Sequence, residues 1–263
     1  MFRLTREVRF AINQRDDPQL SAKPSNGFAG FPSLRGFGPH LSLAVTLAGP
    51  LDPLSNYLVN IRQIDASVRE LAIPAIAAAI HAPRLTSPAS LVGDLYVLLD
   101  AGPPLALHEL RLNLSPFLIY SICASERPMV RLSQKFEFSA THRLHNPRAS
   151  AEENRRLFGK CNNPHGHGHN YELEVTLRGR PDGNGLLINV PEFERIVAAA
   201  VIDRFDHKNL NVELAEFKEL IPTVENIAMT IYGLLKPRFD PQRAALASVT
   251  VWETPKTWCQ YSE

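Results

Sequence analysis

This sequence has few cysteines, almost no net charge and no long apolar run. Each of these features excludes a class of protein. Three cysteines in 263 residues, Cys123, Cys161 and Cys259, do not make a disulfide framework. A formal net charge of +1 gives no basic surface for nucleic acid or anionic lipid. The longest apolar runs, IPAIAAAI and PFLIYSIC, are too short to span a bilayer. We therefore expect no nucleic-acid partner and no membrane partner.

The N-terminal segment MFRLTREVRFAIN mixes charged and apolar residues and has no apolar run typical of a secretory signal. Because cysteine is also sparse, we expect a reduced, cytoplasmic setting.

Histidine, by contrast, is concentrated in one region. Five of the nine histidines fall within 28 residues, at His142, His145, His165, His167 and His169. Three of them belong to the stretch GKCNNPHGHGHNYELEVTL, residues 159–177. Such a concentration of imidazole beside a cysteine indicates a site rather than a random surface.

The sequence also contains an internal repeat. RLTREVRFAINQR (3–15) matches RLSQKFEFSATHR (131–143), and GFGPHLSLAVTLAG (36–49) matches GHGHNYELEVTLRG (166–179). Three further segments match in the same order, at offsets of 128 to about 138 residues. This order predicts a duplication, with one domain over residues 1–127 and a second over residues 129–263.

Each half has the same predicted secondary structure. Period-two alternation indicates two strands (VRFAI and HLSLAVTL; KFEFSA and NYELEVTL). A helix is expected from near Ile61 and near Val190, and a second helix from SPAS and from PTVEN. Two more strands close each half. The predicted class is α+β, with a four-stranded antiparallel sheet in each unit and two helices on one face.

His167 and His169 are spaced so that both side chains would lie on one face of a strand. A third imidazole would complete a metal site with an open position for water or substrate. His142, on the preceding strand, is the first candidate, and His145 and His165 are its rivals. Imidazole ligands favour zinc but also accept iron, nickel or copper.

The repeat supports a shared role for the three histidines. Opposite His142, His167 and His169 the first half has Gln14, Phe37 and Pro39, although the flanking apolar pattern is retained. A joint loss of this kind is expected for a set of ligands to one ion.

Three further candidates have more than one interpretation from residue type alone. Cys161 could be a fourth ligand, an inert small residue or a reactive thiolate. The pair Asp206 and His207 is typical of acid–base work but equally of an exposed helix end. Glu253, which ends a strand in VTVWETP, would by itself be a solvated carboxylate.

Residues 131–263 closely resemble the 6-pyruvoyltetrahydropterin synthase and 6-carboxytetrahydropterin synthase family, which has the T-fold. The resemblance rests on FSATHRL, EENRRLFGKCNNPHGHGHNYELEVTLRG, FDHKNLN, PTVEN and VWET. It implies that each unit takes part in a barrel. It also implies that His142, His167 and His169 are ligands of Zn²⁺.

The same resemblance implies roles for the remaining candidates. Cys161 matches the cysteine that abstracts a proton, and Asp206 and His207 match its acid–base partners. Glu253 matches the glutamate that binds the pterin edge and takes part in proton transfer, and Thr223 lies where the family lines the pterin pocket. His165 matches a variable position and has no assigned role.

The implied reaction converts 7,8-dihydroneopterin triphosphate to 6-pyruvoyltetrahydropterin and releases triphosphate, in tetrahydrobiopterin biosynthesis. The alternatives are the carboxy enzyme of the queuosine pathway, which uses the same substrate, and a non-catalytic pterin-binding protein. The family is usually a hexamer of single units with sites between neighbours. A chain with one intact and one degenerate unit is therefore expected to form a homo-oligomer, either a trimer of tandem chains or a hexamer.

Overall fold

The computed structural model describes residues 1–14, 24–100 and 106–263, and Arg15, the last residue of the first repeated segment, lies outside them. The chain divides into two compact units. The first contains Met1–Leu132 and Gly179–Leu187, and the second contains Ser133–Arg178 and Ile188–Glu263. Within the described residues, no helix is both long and apolar enough to cross a membrane.

In its described residues, the first unit has four strands and three short helices. In chain order these are β1 (Phe2–Ala11), β2 (His40–Gly49), α1 (Ile61–Ser67), α2 (Ile73–His81), α3 (Pro88–Leu99), β3 (Ala106–Asn113) and β4 (Leu118–Cys123). A π-helical turn, Val68–Ala72, joins α1 to α2. The strands pair antiparallel in chain order, β1 with β2, β2 with β3 and β3 with β4.

The second unit repeats this order and adds short elements. It contains β5 (Val130–His142), α4 (Ala151–Phe158), β6 (His167–Gly179), α5 (Val190–Val197), α6 (Asp203–Phe205), β7 (Lys208–Asn209), α7 (Leu210–Glu213), α8 (Val224–Leu235), β8 (Ala245–Thr254) and β9 (Thr257–Tyr261). A π-helical turn, Ala198–Ile202, joins α5 to α6. The strand order is β5-β6-β8-β9.

The predicted α+β class and antiparallel pairing are confirmed, and the helices begin where the sequence places them. Helix α1 begins at Ile61 and α5 at Val190. One pairing differs: the two-residue strand β7 runs parallel to β5. Closure of the units into a barrel remains a prediction.

Helix α4, which periodicity does not predict, begins with a full capping box. The Ser150 hydroxyl accepts from the Glu153 N–H, and the Glu153 carboxylate accepts from the Ser150 N–H. This reciprocal pair satisfies two N–H groups that a helix start otherwise leaves without partners. The helix is polar overall, so its start depends more on the cap than on an apolar face.

The two units share details finer than the order of their elements. Each has a register shift in its second strand at equivalent positions, Thr46/Leu47 and Thr176/Leu177. In each, the threonine before the shift hydrogen-bonds at 2.8 Å to a hydroxyl on the first strand, Thr5 in one unit and Ser133 in the other. These matches follow the alignment of the repeated segments.

A polar pair between the first strand and the first helix is also repeated, with different residues. Arg6 on β1 donates two hydrogen bonds to Asp65 of α1, at 2.8 and 2.9 Å. At the equivalent positions Gln134 on β5 donates to Glu194 of α5. The helix of each unit is therefore fixed to its sheet by one partly buried polar contact as well as by apolar packing.

Candidate metal centre

Three histidines meet where β5 ends and β6 begins. His142 is the last residue of β5, His167 is the first of β6, and His169 follows two residues later. Because side chains alternate along a strand, His167 and His169 leave β6 on the same side. Gly166, at φ +74°, lets the chain enter β6 beside β5, and a Cβ there would lie 3.0 Å from the His142 carbonyl oxygen. The local backbone thus requires glycine to bring the rings together.

The ligand atoms of His142, His167, His169 and Glu253 all lie within 4.8 Å of one another. Nε2 of His142 is 3.1 Å from Nε2 of His167 and 3.2 Å from Oε1 of Glu253. Nε2 of His169 is 3.4 Å from the same oxygen. Atoms bound to one tetrahedral zinc at ~2.0–2.1 Å lie roughly 3.3–3.4 Å apart, so these separations fit a four-ligand set.

The position of the ring proton on His142 gives a second test of whether these residues fit a metal ion. Its Nδ1 lies 2.7 Å from the carbonyl oxygen of Pro222, which can only accept, so Nδ1 carries the proton. Nε2 therefore presents a lone pair, yet a carboxylate oxygen of Glu253 lies 3.2 Å away. Two such acceptors are held at this distance only with a proton or a cation between them. The Nδ1–H to carbonyl bond is also the usual way in which a protein orients a metal-binding imidazole.

Electrostatics favours a neutral imidazole at His167 and at His169 and an ionised carboxylate at Glu253. Burial, followed by the neighbouring His142, lowers the pKa of His167, and burial also lowers the pKa of His169. The contact with His142 is the largest cause that holds the pKa of Glu253 below its ordinary value, against the opposing effect of burial. These are the protonation states that ligands of a cation need. Nε2 of His169 is also buried without a hydrogen-bond partner among the described residues.

Asp206 and His207 form a hydrogen-bonded pair beside β5, the strand that ends at His142. Nδ1 of His207 lies 2.7 Å from Oδ2 of Asp206, and Oδ1 of Asp206 accepts from the Ser139 N–H at 2.7 Å. The Ser139 carbonyl accepts from the His207 N–H. His207 has φ +58°, and its side chain is 84% exposed. His207 and His169 line one cavity of about 570 Å³, so the pair and one member of the cluster border the same space.

Cys161 lies outside the four-residue cluster. It belongs to a 3₁₀ turn, Gly159–Asn162, and its carbonyl oxygen accepts from the Leu144 N–H at 2.9 Å. Its side chain is partly exposed. The fourth side chain in reach of the histidines is therefore Glu253 and not Cys161.

Thr223 caps helix α8, and its hydroxyl accepts from the Asn226 N–H at 3.4 Å. It directly follows Pro222, whose carbonyl oxygen orients His142. The rival histidines lie elsewhere: His145 hydrogen-bonds to Asn162 and His165 is exposed on the loop, so neither belongs to the cluster.

The first unit has no counterpart of this cluster among its described residues. The three positions opposite the histidines are occupied by Gln14, Phe37 and Pro39, and Phe37 is 87% exposed. The strand register and bulge nevertheless match those of the second unit.

Sequence reasoning missed two contributors. The Pro222 carbonyl is a backbone group and has no signature in residue type. Tyr171 follows His169 by two residues, so it faces the same side of β6, and the two rings meet edge to face with their centroids 5.6 Å apart. Period-two spacing could have identified Tyr171.

Comparison with known proteins shows which family the second half of the chain resembles. A family model described as 6-pyruvoyl tetrahydropterin synthase matches residues 131–263. The chain belongs to the 6-pyruvoyl tetrahydropterin synthase family. The 6-pyruvoyl tetrahydrobiopterin synthase of Drosophila melanogaster is 39% identical over 138 residues, which are 52% of this chain and 82% of the fly protein.

Two other proteins are also similar to this chain. The 6-carboxy-5,6,7,8-tetrahydropterin synthase of Haemophilus influenzae is 26% identical over 156 residues, covering 51% of this chain and 100% of that protein. The solved structure of Caenorhabditis elegans 6-pyruvoyl tetrahydropterin synthase is 37% identical, with a TM-score of 0.49, over 52% of this chain and 96% of that one.

Proposed function

We propose that this chain is a zinc-dependent lyase that converts 7,8-dihydroneopterin triphosphate to 6-pyruvoyltetrahydropterin and releases triphosphate. The observation that carries the proposal is the convergence of His142, His167, His169 and Glu253 within the half that matches the family. Membership of this family implies an enzyme of the pterin-synthase type. The substrate and the metal are what we propose beyond that.

His142, His167 and His169 would hold the zinc, and Glu253 faces the same point. Zinc in this position supplies Lewis acidity to the side-chain hydroxyls of the substrate. The protein holds the ligand set before the substrate arrives, because His142 is oriented by the Pro222 carbonyl and Gly166 fixes the entry of β6.

Cys161, Asp206 and His207 are the proposed proton-transfer groups. Cys161, as a thiolate, removes a carbon-bound proton from the substrate side chain, and His207 accepts or returns a proton at a second position. Asp206 orients His207 through the 2.7 Å contact to Nδ1 and leaves Nε2 free for the exchange. The hydrogen bond from the Ser139 N–H, followed by that from His207, keeps the pKa of Asp206 below its ordinary value, so its carboxylate stays charged.

Glu253 and Thr223 are the proposed contacts to the pterin ring. A carboxylate facing two N–H donors of the amino-pyrimidine edge gives a bidentate contact. Glu253 borders a cavity of about 570 Å³ that is also lined by Asn170, Trp252 and Thr254. Its position next to His142 also suits a part in proton transfer.

The carboxy reaction is the main alternative, since it uses the same substrate class and releases acetaldehyde. The higher identity to the pyruvoyl-named fly protein, 39% against 26%, supports the pyruvoyl product. A non-catalytic pterin-binding protein would keep the histidines but would not need Cys161, Asp206 and His207 together.

For the domains, we propose a degenerate T-fold unit over residues 1–127 and a catalytic unit over residues 129–263. The repeated register shifts at Thr46/Leu47 and Thr176/Leu177 support the duplication. The degenerate unit then has a scaffold role in a homo-oligomer, either a trimer of tandem chains or a hexamer, acting in the cytoplasm without nucleic-acid or membrane partners.

The deciding experiment is incubation of the purified, zinc-loaded protein with 7,8-dihydroneopterin triphosphate, followed by measurement of triphosphate and of the pterin product by mass. The expected result is stoichiometric triphosphate and the pyruvoyl product. The carboxy mass with acetaldehyde would replace the first reaction with the second. Zinc binding without triphosphate release would favour the binding protein.

A further inference from the structure

The hydroxyl of Tyr171 is a buried polar group that the proposed mechanism leaves unused. The side chain is 0% exposed, and its hydroxyl oxygen has no hydrogen-bond partner among the described residues. Buried hydroxyl groups are almost always paired, because leaving one unpaired forfeits its hydrogen bonds to water. The unpaired hydroxyl of Tyr171 therefore points to an acceptor that a ligand supplies.

The ring of Tyr171 is held firmly beside the histidines. It stacks on Phe138 with a centroid distance of 4.9 Å and an interplanar angle of 15°. The His142 and His169 rings approach it edge to face, at 6.1 and 5.6 Å. A ring fixed on three sides aims its hydroxyl in one direction.

The surroundings of Tyr171 belong to the candidate metal centre. Tyr171 lines the same cavity as Glu253, and the rings of His142 and His169 lie against it. A ligand that reaches the histidine cluster would pass the phenol.

The first unit shows that packing alone does not require the hydroxyl. The position equivalent to Tyr171 is Leu41, which is also buried, while its stacking partner Phe138 is matched by Phe10. The unit without the histidine cluster has a leucine at this position, and the unit with the cluster has the tyrosine.

We propose that Tyr171 is a further substrate-binding residue, whose hydroxyl donates a hydrogen bond to an oxygen of the polyol side chain of the pterin beside the metal. The inference rests on the proposed function, because it concerns the same site. Tyr171 contributes an oriented donor and is not itself a metal ligand.

The test is Tyr171→Phe in the full-length, zinc-loaded protein, with Tyr232→Phe as the matched control. Tyr232 is also buried in the second unit, but its hydroxyl already donates to the Leu246 carbonyl at 3.4 Å. Removal of the Tyr171 hydroxyl breaks no hydrogen bond within the described protein, whereas removal of the Tyr232 hydroxyl breaks one.

Binding of neopterin, a pterin with a trihydroxypropyl side chain, is measured by fluorescence titration, and zinc content is measured in parallel. We expect Tyr171→Phe to weaken neopterin binding by roughly 5- to 100-fold, with one zinc per chain retained and no loss of thermal stability. Tyr232→Phe should bind neopterin as the wild type does and unfold at a lower temperature.

Equal neopterin affinity in the wild type and Tyr171→Phe, or no neopterin binding by either, would overturn the inference. Triphosphate release is measured separately on the wild type. A wild type that releases no triphosphate refutes the proposed reaction, while a loss of neopterin affinity in Tyr171→Phe still supports the hydroxyl contact.

Discussion

The Nδ1–H of His142 donates to the carbonyl oxygen of Pro222 at 2.7 Å, and this contact fixes which nitrogen of His142 faces the cluster. Pro222 immediately precedes Thr223, the residue that caps helix α8. The end of β5 and the start of α8 are therefore joined at the candidate metal centre. A change in the start of α8 would be transmitted to the orientation of the imidazole.

His167→Ala should reduce the metal content from one zinc per chain to below detection and abolish the pterin reaction. Loss of a residue that only hydrogen-bonds to a metal ligand already costs about 10- to 100-fold in metal affinity or activity. Loss of a ligand itself should cost more. The measurement is metal analysis of the purified protein, together with triphosphate release.

The matched control is His165→Ala, because His165 lies two residues before His167, on the loop that leads into β6, but outside the cluster. It should keep both the metal and the activity. If His167→Ala retained a full equivalent of zinc, the ion would be bound elsewhere in the chain.

Glu253→Gln should keep one zinc per chain, since three imidazoles remain, but bind it about 10-fold more weakly. The physical reason is loss of the negative charge that faces Nε2 of His142 and of His169 at 3.2 and 3.4 Å. Competition with a chromogenic chelator measures the affinity. Unchanged zinc affinity with a raised KM would instead assign Glu253 to the pterin ring alone.

Gly166→Ala should lower stability by about 1–3 kcal/mol, because a side chain at φ +74° is strained and the new Cβ approaches the His142 carbonyl at 3.0 Å. It should also reduce zinc affinity by displacing His167. Gly36 in the first unit has the same φ of +74° with open space around it.

Gly36→Ala is therefore the control for backbone strain without the contact to His142. Urea unfolding and chelator competition are measured on both variants. A Gly36→Ala variant that lost zinc as readily as Gly166→Ala would show that the close approach to His142 is irrelevant.

Asp206→Asn should lower kcat by about 10²- to 10⁴-fold with zinc content unchanged, because an amide does not stabilise a protonated His207. The pKa of Asp206 is depressed in the folded protein, so its contribution to stability is present above the unfolded pKa and is lost as pH falls through the folded pKa. The stability difference between wild type and Asp206→Asn should therefore be full above the ordinary aspartate pKa of about 3.9 and shrink as the pH falls below it.

Urea unfolding at several pH values measures this difference, and steady-state kinetics at neutral pH measures kcat. A difference that grew on acidification would contradict the depressed pKa. Ser139 donates through its backbone N–H, so a Ser139→Ala control should leave this pH dependence in place.

The sequence allowed much of the scaffold to be predicted. Alternation placed β2 and β6, apolar spacing placed the starts of α1 and α5, and the spacing of His167 and His169 indicated a common face, which the strand places side by side. These features are local, because each depends on residues that are close in sequence, within one or two helical turns or within one strand.

The parts that the residue pattern alone did not place depend on distant contacts. By residue type alone Glu253 would be a solvated carboxylate, and only the pairing of β6 with β8 brings it to His142, more than 100 residues away in sequence. The Pro222 carbonyl carries no sequence signal at all. Helix α4 was missed because its capping box, rather than an apolar face, defines it.

The π-helical turns have a consequence for interpreting mutations. Val68–Ala72 and Ala198–Ile202 occupy equivalent positions, although only the second unit has the histidine cluster. A widened turn in a helix is often associated with catalysis. Here the widening occurs without the cluster as well, so the cluster does not require it. Straightening the turn in the first unit would therefore measure its contribution to stability at a place where no described residue belongs to the cluster.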